Sequence, residues 1–181
     1  GYGLHFLPYG FSGMFMFPVG MYFMYNAYKQ SDKKNAVLWV GLIAASIKLI
    51  DLLLPTRSPM SVINPATSII FESLLVFAFV KIPGHKKVAA SYVLGISWIL
   101  VFTLTQALIF KPEVGLYTLP VYQIILFLLL NAIVSGTLVA IYLKNEEALT
   151  WKQGTRKFSF AIPAFTMILA FGMEYFNSLI F

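Results

Sequence analysis

Six stretches of this chain each run for about twenty residues with almost no charge, and short polar breaks separate them. That pattern limits the fold more than any motif does. At 1.5 Å per residue, about 20 apolar residues make a helix as long as the hydrocarbon core of a bilayer is thick. Lipid offers no partner for backbone N–H and C=O groups, so a segment that crosses it must satisfy them internally, as a helix does. The stretches are Leu4 to Tyr28, Ala36 to Leu54, Val62 to Ile82, Val88 to Phe110, Leu119 to Leu143, and Phe158 to the end. The expected fold is all-α: one transmembrane domain over residues 1–181, a bundle of about six helices.

Composition agrees. Of the 181 residues, 59% are hydrophobic and 11% charged, with a mean hydropathy of +0.80. A soluble domain carries about 25% charged residues, so this chain has too little polar surface to cover itself in water. The breaks have turn chemistry. Residues 29–35 are polar and charged. Pro55, Pro59, Pro83 and Pro112 each lack an N–H and disfavour helix in the residue before. Between Asp51 and Glu72, Asn64-Pro65 is expected to open the third helix, since proline is tolerated in a first turn. Pro8, Gly10, Gly13, Pro18 and Gly20 make the first segment irregular, open either to close helix contact or to a break.

The net charge of +6 is concentrated in loops. Lys29, Lys33, Lys34, Lys81, Lys86, Lys87, Lys144, Lys152, Arg156 and Lys157 follow the first, third and fifth segments; only Arg57 and Lys111 follow the second and fourth. By the positive-inside rule, loops 29–35, 81–87 and 144–157 face the cytoplasm of a bacterial inner membrane, and both ends of the chain lie outside. The basic charge thus reads as topology, with the bilayer as partner, and not as a nucleic-acid surface. Trp39, Trp151, Tyr25 and Tyr28 fall where an interfacial aromatic belt is expected.

Several chemistries are unsupported. The chain has no cysteine, which excludes disulfides and thiolate sites. His5 and His85 fall on opposite sides in this topology and make neither a haem pair nor a metal centre. No P-loop, GxSxG or HExxH motif occurs. The expectation is a non-enzyme with no catalytic residues, no metal and no cofactor.

What remains is a set of polar residues inside the spans. A charge at mid-span costs about 2.5–3.5 kcal/mol on insertion scales and is kept where it faces protein or water. Lys48 and Asp51 are three apart on one helix face, either a self-neutralising pair or contacts for a solute. Glu72 has no cation near it in sequence. It is either a neutral acid bonding two helices, a partner for a cation such as Lys48, or a ligand group. Glu174 lies in the outer part of the last segment. Asn64, Gln106 and Gln123 fall in the outer half of the membrane, and Asn131 with Glu72 near its centre. Arg57, in the proline-rich outer loop, is placed to meet an anionic group. Together these nine residues outline a polar cavity open outward and closed by apolar packing below. The competing reading is a buried hydrogen-bond network without a ligand, worth under about 1 kcal/mol per bond in membranes.

Size, hydropathy, the basic face and the stretch from Ile47 through Asp51, Asn64 and Pro65 to Glu72 resemble the substrate-binding S-components of energy-coupling-factor transporters. That likeness implies a carrier for a vitamin- or metal-like solute, working with a coupling subunit and ATPases. It also implies small-residue faces on early helices that meet the coupling subunit; Ala44, Ala45 and Ser46 are the loose analogue here. Six-helix members of that family keep both ends in the cytoplasm, whereas the loop count puts both outside; either a further helix precedes Gly1 or the chain departs from that family. The alternative is a non-catalytic integral subunit of a larger membrane complex, to which the short loops and 17% aromatic content also point.

Overall fold

The computed structural model describes residues 11–53, 59–112 and 116–145. All regular structure within them is helical. Helix α1 spans Phe11–Ser31, α2 Ala36–Leu49, α3 Pro59–Phe79, α4 Gly84–Thr105 and α5 Val121–Lys144. A 3-10 turn, Ile50–Leu53, extends α2, and a π-helical turn, Gln106–Phe110, extends α4. The sixth expected segment, Phe158 onward, lies outside the described residues, as do His5, Arg57, Trp151 and Glu174.

Among the described residues four helical stretches are long and apolar enough to cross a membrane: Ala36–Leu53, Pro59–Phe79, Gly84–Phe110 and Val121–Lys144. They match the second to fifth segments within a few residues. At 21 residues α1 is as long as α3, but glycine, proline, tyrosine and Asn26 dilute its apolar content and it is not among the four. It is nonetheless central. Met14, Phe17, Met21, Met24 and Tyr25 recur at helical spacing on one face and are almost fully buried. Helices α1, α3, α4 and α5 close a ring, and α2 packs outside it against α1 and α3.

Two proline expectations change. Helix α1 continues through Pro18, and its Gly20 serves close contact, against Glu72; Pro8 and Gly10 lie outside the described residues. Helix α3 begins at Pro59, and Pro65 lies inside it. Pro59 takes the first-turn position, where a missing N–H costs nothing, and Pro65 omits one rung of the ladder further on.

The turns stop for local reasons. Asp32 adopts a left-handed φ of 55° after α1, and its N–H donates to Tyr28 O at 2.8 Å; Asp tolerates this conformation better than most residues. Lys111, with φ 42°, ends the π turn by donating its N–H to Gln106 O at 2.8 Å, just before Pro112.

Close approach of helices rests on small residues. A Cβ at Gly41 of α2 would stand 2.2 Å from Ser73 Cβ on α3, and one at Gly136 of α5 would stand 2.8 Å from Tyr92 Cα on α4. Membrane helices associate through such faces because lipid is as apolar as a leucine side chain. Apolar residues on the outer surface include Trp39, Ile43, Leu108 and Val121.

Loops 29–35 and 81–87 meet at one end of the ring. Lys87 Nζ donates to Tyr25 OH at 2.8 Å and lies 4.8 Å from that ring's centroid, joining the start of α4 to the end of α1. Tyr142 of α5 packs edge-on against Tyr25. Tyr25 therefore sits inside the bundle and not in a lipid-facing belt, while Trp39 is 63% exposed.

Candidate functional site

The inward face of α3 carries Val62, Ala66, Glu72, Ser73, Val76 and Phe79, all buried. Helical periodicity thus turns the Glu72 carboxyl into the bundle with the apolar core residues. It lies within a turn of the midpoint of α3, and Gly20 of α1 stands directly opposite. A Cβ at Gly20 would fall 2.0 Å from Oε1, so the carboxyl occupies the space a side chain there would need. Glu72 is 7% exposed, and Oε1 has no hydrogen-bond partner among the described residues.

The other expected site residues form local pairs. Lys48 Nζ and Asp51 Oδ2 are 2.5 Å apart, the contact that i,i+3 spacing predicts. Asp51 is buried and Lys48 partly exposed. Gln106 Nε2 donates to Asn64 Oδ1, tying the end of α4 to the start of α3. Gln123 is half-buried, and its Nε2 donates to Tyr122 OH at 2.9 Å on the same helix. All five of these residues lie at the end opposite loops 29–35 and 81–87.

Asn131 is deeper. It is fully buried on α5, where Ser135 Oγ lies 3.1 Å from Asn131 Oδ1 and donates to Met14 O of α1 at 2.9 Å. Asn131 Nδ2 has no partner among the described residues. Glu72 and Asn131 are thus the two expected site residues near mid-span; Glu72 meets α1 directly at Gly20, and Asn131 is linked to it through Ser135, which bonds Met14 O.

Trp98 belongs with them, although sequence reasoning did not single it out. It is buried near the middle of α4, stacks on Phe17 of α1 with 5.4 Å between ring centroids, and its Nε1 has no partner among the described residues. The available signal was position. A tryptophan in an interfacial belt sits at a helix end, whereas Trp98 lies near the middle of the span Gly84–Phe110.

Among the described residues no group of three or more His, Asp or Glu side chains converges to hold a metal. Comparison with protein-family models, curated proteins and solved structures finds no match for this chain. What the arrangement offers is a buried carboxyl and an indole N–H beside glycines of α1, and a buried carboxamide linked to α1 through Ser135.

Proposed function

We propose that the chain is a small-solute binding and transport subunit of a bacterial inner membrane, a non-enzymatic bundle of about six helices with its basic loops in the cytoplasm. Glu72 carries this reading. A buried carboxyl near mid-span with an unpartnered oxygen is costly, and packing among the described helices does not repay it, because no donor among the described residues reaches that oxygen. A cationic or hydrogen-donating solute would. The polar pairs Lys48–Asp51 and Asn64–Gln106 at the end opposite the basic loops support entry from outside. The resemblance to S-components supports a coupling subunit and ATPases as partners.

The test is Glu72→Gln, which keeps size and removes charge. Uptake, or retention of a small molecule through gentle extraction, should be lost while the thermal melting temperature holds. Undiminished retention by the variant would remove Glu72 from the ligand set. Stable co-purifying proteins with no retained molecule would support the alternative, a non-catalytic subunit of a larger complex.

A further inference from the structure

Around Gly13, α1 borders on Trp98 Nε1 and, through Ser135, on Asn131, two residues that each keep a hydrogen-bonding group with no partner among the described residues. The stack on Phe17 fixes the plane of the Trp98 indole. A Cβ at Gly13 would lie 3.8 Å from Trp98 Nε1, an ordinary contact distance, so the glycine leaves a methyl-sized space beside the N–H. Asn131 is held from one side by Ser135, whose hydroxyl also bonds Met14 O, and its Nδ2 has no partner. Gly13 and Met14 are consecutive: the first lies beside Trp98 Nε1, and the carbonyl of the second accepts from Ser135, which also holds Asn131. Helices α4 and α5 are in close contact there too: the position of a Cβ on Gly95, one turn before Trp98, is 3.3 Å from Ala132 Cα, next to Asn131.

An indole N–H donates and never accepts. The group that complements it must therefore present an acceptor, and one oxygen can accept from two donors. We infer that the junction of α1, α4 and α5 at Gly13, Trp98 and Asn131 is a subsite for a carbonyl or carboxylate oxygen of the transported solute. This rests on the carrier reading and extends it to substrate class. Gly20, against which Glu72 packs, is seven residues along the same face of α1 from Gly13, about 10 Å at the helical rise. The solute thus carries an oxygen acceptor at one end and a cationic or donating group on the order of 10 Å away.

Native mass spectrometry of the gently extracted full chain tests this with three variants. Wild type should retain an oxygen-bearing molecule. Trp98→Phe keeps the aromatic stack and removes the donor, and should lower occupancy about tenfold or more, the effect of losing one buried hydrogen bond to a polar or charged group. Gly13→Ala fills the space beside Nε1 without a clash. It should melt like wild type and lose occupancy to a similar extent, which keeps the test decisive if Trp98→Phe folds poorly. Retention of the same molecule at wild-type occupancy by both variants would overturn the subsite. If Glu72→Gln alone lost it, the carrier reading would stand. A retained species with no oxygen acceptor, such as a bare metal ion, would also overturn the subsite. No retained molecule from wild type would overturn both.

Discussion

Gly20 and Glu72 are one structural unit although 52 positions separate them. The carboxyl fills the volume that any larger residue at 20 would claim, which makes the pair testable without knowing the solute. Gly20→Ala places a methyl 2.0 Å from Oε1, and overpacking of this kind costs about 1–3 kcal/mol. A lower melting temperature in detergent is expected. In a Glu72→Ala background the same substitution should cost little, because the obstructing group is gone. Equal losses in both backgrounds would mean that the two residues do not share the space. At the other end, Gln106 is buried and bonds Asn64. Gln106→Ala and Asn64→Ala should each lower stability by about 1 kcal/mol, with the double variant losing less than the sum, since either change ends the same hydrogen bond.

The helices themselves show which parts of the fold a sequence discloses. Four spans could be read to within a few residues, because apolar length is a property of each segment alone. The Lys48–Asp51 pair could be read for the same reason, since i,i+3 spacing fixes it locally. What lies between helices could not. Nothing near Glu72 in sequence points to Gly20, and nothing near Asn131 points to Met14. The breaks misled where local chemistry and packing compete. Pro65 reads as a helix start, yet the apolar face of α3 gains from beginning at Pro59, and Pro18 does not stop α1, whose inner face is buried along most of its length. The crossings make a graded prediction. Gly136→Ala meets Tyr92 Cα at 2.8 Å, backbone that cannot swing aside; a loss of about 1–3 kcal/mol is expected. Gly84→Ala meets nothing within 4 Å in the first turn of α4, where replacing glycine should be neutral or stabilise by up to about 1 kcal/mol. Melting temperatures of the two variants in one detergent check both. A fall for Gly84→Ala as large as that for Gly136→Ala would contradict the close α4–α5 crossing.

At the scale of the molecule, polarity divides end from end. The loops rich in lysine gather where Lys87 meets Tyr25, and the Lys48–Asp51 and Asn64–Gln106 pairs gather at the opposite end. If the first end faces the cytoplasm, as its lysines predict, the second faces outward, and a solute from outside meets polar groups before it reaches Glu72. The reverse orientation would make the same residues an exit. The absence of cysteine allows a direct answer, since each single-cysteine variant carries one thiol. Ser31→Cys and His85→Cys, both at exposed positions of the basic end, should resist a membrane-impermeant maleimide in intact cells and react once the membrane is opened. Leu119→Cys, exposed at the other end just before α5, should react in intact cells. The opposite labelling pattern would invert the topology and remove the case for uptake from outside. It would leave the buried Glu72–Gly20 contact untouched, because that contact depends on how α1 packs against α3 and not on which side of the membrane either end lies.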